Sequence, residues 1–143
     1  MKTVNSSRGL GLAEFALKKN YTSTSPSASI GFKIPLNVTT ENSFIVLLEP
    51  SSVDRMNSSI LEEMPTDLYY FFREEDPNLM LVGEDDSDYF EGIMWPFSNP
   101  GIGIWSICIF DGPIPGKRLP VCDDYFNFSN LGCANITINE AGN

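Results

Sequence analysis

A chain of 143 residues, 42% apolar and 12% aromatic, is long enough to bury one core and too apolar to stay disordered. Histidine is absent, which removes the side chain best suited to proton transfer near neutral pH and the commonest metal ligand, and so disfavours zinc enzymes and His-dependent nucleophilic triads. The net charge of −10 is unevenly spread: residues 1–33 hold five bases against Glu14, and the remaining 110 residues hold four bases against eighteen acids, which gives +4 on one segment and −14 on the other.

That split lets the basic segment of one copy fit the acidic body of the next, and it turns nucleic acid away from most of the surface. Within residues 8–19, Leu12, Phe15 and Ala16 recur at helical spacing behind Ser6 and Ser7, with Lys18 and Lys19 at the far end, so a short helix is expected there. Residues 21–29 are rich in Ser and Thr around Pro26 and read as a linker. The expected organisation is therefore a basic N-terminal arm with its linker, residues 1–29, and an acidic β domain, residues 30–143. On this reading, deleting residues 1–20 leaves a folded body.

From Ile30 the pattern changes to period two, with Ile30, Phe32, Ile34, Leu36 and Val38 on one face. Pro35 places this strand at an edge or in a bulge, because proline donates no ladder hydrogen bond. Residues 44–48 form a continuous apolar run and a buried strand. Val53, Met56, Ile60 and Met64 recur every three or four residues, which predicts a helical excursion over 51–64. Residues 67–73 and 79–82 flank a polar turn and predict a hairpin. An acidic turn at 84–88 leads to a strand at 88–95. Residues 102–110 form the longest strand, with Trp105, Ile107 and Ile109 sharing one face; both its faces are apolar, so it lies between layers. A last strand spans 135–139. About seven short strands with Gly/Pro turns predict a mainly β fold, an antiparallel β-sandwich or barrel-like body with an extended N-terminal arm containing a short helix.

The chemistry-bearing motifs are sparse. Asp85, Asp86 and Asp88 sit in the acidic turn and are the best calcium ligands the chain offers, yet the turn lacks the glycine and distal glutamate of an EF-hand loop. Paired acids such as Glu62-Glu63 read as solvated surface. No catalytic residue, cofactor or metal is assigned. Of the three cysteines, Cys108 reads as a small buried hydrophobe; Cys122 and Cys133 stand close enough in sequence to bridge, but without a signal-peptide pattern free thiols are expected. Six Asn-x-Ser/Thr sequons occur, at Asn5, Asn20, Asn37, Asn57, Asn127 and Asn135, against roughly two expected by chance from the composition.

These features lead to a non-catalytic structural protein that packs as many copies, a virion component such as a capsid-associated, neck or tail protein. Its partners would be copies of itself and other proteins of the assembly, not nucleic acid and not membrane. Leu10, Leu12, Phe15, Leu17, Lys18 and Lys19 are the expected subunit contacts. The chain would be made in the cytoplasm. The alternatives are a secreted, glycosylated β-sandwich binding module and an acidic decoy that mimics nucleic acid.

Overall fold

The structure, a computed structural model, describes residues 2–5, 9–18, 21–22, 29–39, 43–55, 60, 63–64, 68–72, 79–83, 89–95, 101–111 and 129–140. Among the described residues ten strands form two five-stranded sheets that pack face to face. The strands are β1 (Lys2–Asn5), β2 (Glu14–Leu17), β3 (Tyr21–Thr22), β4 (Ile30–Pro35), β5 (Ser43–Leu48), β6 (Tyr69–Phe71), β7 (Leu79–Gly83), β8 (Tyr89–Met94), β9 (Gly103–Asp111) and β10 (Ser129–Asn139). One sheet runs β1-β2-β4-β8-β7 and the other β3-β10-β9-β5-β6. All pairings are antiparallel except β3, which lies parallel to β10. The mainly β sandwich expected from the sequence is thus the fold.

In connectivity, β2-β4-β8-β7 take the places of strands A-B-E-D, and β10-β9-β5-β6 those of G-F-C-C′, in an immunoglobulin variable-type sandwich. β1 is an additional edge strand. The inter-sheet disulfide typical of antibody domains is missing: β4 carries no cysteine, and Cys108 of β9 bonds within its own sheet.

Strand alternation builds the core. Phe15 and Leu17 from β2, Ile30, Phe32 and Ile34 from β4, Phe90 and Met94 from β8, Ile45 and Leu47 from β5, and Ile107 and Ile109 from β9 fill the space between the sheets. Phe72 stacks between Phe32 and Phe90, with ring centroids 5.1 and 4.9 Å away, an offset geometry that adds to the area it removes from water. Trp105, expected deep in the core, is half-buried at the end of β9 and donates its indole N–H to the Gly101 carbonyl over 3.1 Å.

The outer face of the second sheet is also buried. Phe44, Val46 and Leu48 of β5, Tyr69 and Phe71 of β6, and Cys108 and Phe110 of β9 form a second apolar cluster, roofed by Val53 of a 3-10 helix (Pro50–Arg55) and by Ile60 and Met64. The strand at 103–111 therefore does lie between layers. The helical periodicity at 51–64 is the signature of this roof, whose described residues are 3-10 over Pro50–Arg55 and α-helical at Ile60 and Glu63.

Three expectations are corrected. The short helix at 8–19 is absent: Gly9 and Gly11 take positive φ, and Glu14–Leu17 is a strand whose Phe15 and Leu17 point inward while Glu14 and Ala16 alternate with them. Only glycine fits at position 9, since a Cβ there would land on the Asn130 carbonyl and within 2.6 Å of the Asn130 Oδ1. Next, β4 is not an edge strand. β2 pairs with it, and Pro35 is tolerated as the last residue of the strand. Finally, residues 67–73 and 79–82 do not form a hairpin, because β6 belongs to one sheet and β7 to the other; the hairpin partner of β7 is β8.

Candidate binding cleft

Residues ahead of Ile30 are woven into both sheets. The backbone N–H groups of Leu10 and Leu12 donate to the carbonyls of Asn130 and Leu131 over 3.0 and 2.8 Å, which ties the start of the chain to β10. Of the expected subunit contacts, Phe15 is fully buried and Leu17 nearly so within this same chain; Leu12 is half-buried. Leu10, at 67% exposure, and Lys18 face solvent, and Lys19 lies outside the described residues.

The chain leaves the first sheet at Leu17 and enters the second at Tyr21, and this crossover opens a cleft of about 290 Å³ beside β10. Leu17, Lys18 and Tyr21 form one wall, and Asn135, Thr137 and Asn139 form the other. The two walls meet because β3 pairs with β10 through Tyr21↔Ile138, so the crossover lies alongside residues 135–139. Among the described residues the cleft offers one ammonium group, carboxamides and hydroxyls. It suits hydrogen bonding to a small polar group, and its described lining has no carboxylate, thiol or imidazole to divide acid and base roles.

Tyr21 organises the crossover. Its hydroxyl accepts the Lys18 N–H over 3.0 Å and donates to the Ser29 carbonyl over 3.0 Å, so both ends of the Ser/Thr-rich stretch are tied to one buried ring. Burial pushes the Tyr21 phenol above its ordinary value of 10.0, and the bond from Lys18 opposes that rise. A folded pKa above the unfolded one means that stability is fully present below pH 10.0 and is lost as pH rises through the folded value. Tyr21→Phe should therefore lower stability by about 1 kcal/mol at neutral pH through the lost hydrogen bonds, and flatten the alkaline limb of a melting-temperature titration. An alkaline limb that is identical in the variant would contradict this role.

The cysteines differ from expectation. Cys108 and Cys133 are register partners on β9 and β10, with Cα atoms 4.1 Å apart, and they form a disulfide beneath the roof of the second sheet. The expected free thiols are thereby corrected for this pair, and Cys122 lies outside the described residues. The bridge was missed because Cys108 sits in an apolar run that accounts for it as a hydrophobe; only the register of β9 against β10 reveals its partner.

Asp85, Asp86 and Asp88 lie outside the described residues, and among the described residues no group of three His, Cys, Asp or Glu side chains is placed to hold a metal ion. No helix among the described residues is long and apolar enough to cross a membrane. Of the sequons, Asn37 and Asn135 are exposed; Asn5 lies in β1, and Asn20, Asn57 and Asn127 are outside the described residues. No protein-family model, no curated protein and no solved structure matches this chain.

Proposed function

We propose that the chain is a secreted, glycosylated β-sandwich recognition domain without catalytic activity. The observation that carries this reading is the Cys108–Cys133 disulfide, since such bonds form and persist in oxidising compartments and are rare where thiols are kept reduced. Six sequons, at least two of them at exposed positions, agree with passage through a glycosylating pathway. The connectivity supports the recognition role by analogy of architecture, and the chain has no histidine with which to build the common catalytic constellations. The test is the thiol and sugar state of the protein isolated from its natural source. A bridged Cys108–Cys133 pair and sugar on at least one sequon are expected; free thiols on an unmodified chain held inside the cell would overturn the reading.

The virion assembly protein is the second reading, and the charge split favours it. Because Phe15 and Leu17 belong to the core of their own chain, an arm lying across a neighbour requires β2 to leave its sheet and exchange. On this reading the native mass at low salt exceeds that of one chain, and Lys18→Glu with Lys19→Glu reduces it, with partial recovery as salt shortens the screening length from about 10 Å at 0.1 M to about 3 Å at 1 M. A single-chain mass at every ionic strength removes it.

A further inference from the structure

Asn135, Ile136 and Thr137 form a sequon that lies flat along β10. Ile136 points into the core, whereas Asn135 and Thr137 are exposed together on the outer face, as period-two alternation requires. The Asn135 Oδ1 accepts a hydrogen bond from the Ser106 hydroxyl over 2.8 Å, and Ser106 is fully buried on the neighbouring strand β9. An amide is planar, so fixing Oδ1 toward β9 leaves Nδ2 on the opposite side of β10. That is the side where β3 pairs and where the cleft lined by Lys18, Tyr21, Thr137 and Asn139 opens.

We propose that Asn135 carries an N-linked oligosaccharide whose first sugar occupies this cleft. The inference rests on the reading of the chain as a secreted protein. In the transfer, Nδ2 loses a proton and bonds to C1 of the sugar of a lipid-linked oligosaccharide, and the lipid diphosphate departs with the electron pair of the broken C–O bond. The product keeps the Asn135 carbonyl oxygen, so the bond from Ser106 survives modification. At about 290 Å³ the cleft is at the small end of ligand pockets and suits one sugar ring, with the remainder of the oligosaccharide in solvent. The cleft's hydroxyl, carboxamide and ammonium donors match the hydroxyl and acetamido oxygens of an N-acetylhexosamine.

The experiment uses the full chain produced through a eukaryotic secretory pathway. Peptide mapping should find Asn135 occupied, with Thr137→Ala removing the sugar and Thr137→Ser retaining it. Trimming the oligosaccharide to its first sugar should leave the melting temperature about 3 °C above that of Thr137→Ala, and Asn139→Ala should narrow the gap. An empty Asn135 beside an occupied Asn37 and an intact Cys108–Cys133 bridge overturns the assignment and leaves the secreted reading standing. An occupied Asn135 whose trimmed form melts with Thr137→Ala overturns the seating of the sugar. A chain with no sugar and free thiols removes both the inference and the reading beneath it.

Discussion

Deleting residues 1–17 should abolish cooperative unfolding. The deletion removes β1 and β2, leaves β4 as an edge, and uncovers Ile30, Phe32 and Ile34 where Phe15 packed. It also removes the backbone bonds from Leu10 and Leu12 to β10. Phe15→Ala alone should cost about 3–5 kcal/mol, because the ring is fully buried and its neighbours in two sheets cannot collapse onto the gap. Set against a total stability of about 5–15 kcal/mol for a domain of this size, loss of the whole segment exceeds what the remainder can absorb. Urea titration followed by circular dichroism checks both variants. A truncated chain that unfolds with the parent's midpoint and slope would restore the division at residue 29 that the composition predicts.

Reduction of the Cys108–Cys133 bond should cost about 3 kcal/mol. The bond closes a loop with a sequence separation of 25, and the chain-entropy account of a loop near that length gives about 3–4 kcal/mol. Both sulfurs sit in the buried cluster under the roof of the second sheet, so Cys108→Ala with Cys133→Ala also loses packing and should not fare better than the reduced parent. Alkylation of the unfolded chain supplies the chemical check: the bridge predicts that Cys108 and Cys133 resist labelling until reductant is added. Labelling of both before reduction would show that the pair is unbridged, and the support for an oxidising compartment would go with it.

The parts of this fold that the residues declare are those where one local rule decides. Alternation at 30–35, the apolar run at 44–48 and the doubly apolar stretch at 103–110 each name a strand, and the last also names its place between layers. The first segment misleads because it is short: over residues 12–17, Leu12, Phe15 and Ala16 fit a helix about as well as Ala13, Phe15 and Leu17 fit a strand. Lys18, which looks like part of a helix end, instead follows Leu17 at the crossover between sheets. Residues 129–134 hide the beginning of β10, since Asn130, Gly132, Cys133 and Ala134 surround a bulge and carry little apolar pattern. The cleft is invisible to any local rule. It exists because Lys18 and Tyr21 come to lie beside Asn135 and Thr137 at the far end of the chain, and no spacing within either segment encodes that meeting.

Tyr21 pairs with Ile138, so the third strand cannot be secured until the ribosome has made the distant segment that carries Ile138. At about 5–20 residues per second that wait lasts several seconds, during which Phe15 and Leu17 are synthesised but β8 and β10 do not yet exist. A topology built on such distant pairings also folds slowly once complete, on the millisecond-to-second scale of sandwiches rather than the microseconds of helical bundles. Throughout that interval the chain has exposed apolar strands and unpaired edges. Its yield in a cell thus depends on what shields the first strands before the last arrive, and sequons at Asn5, Asn20 and Asn37, modified as they emerge, would stand where that shielding is needed first.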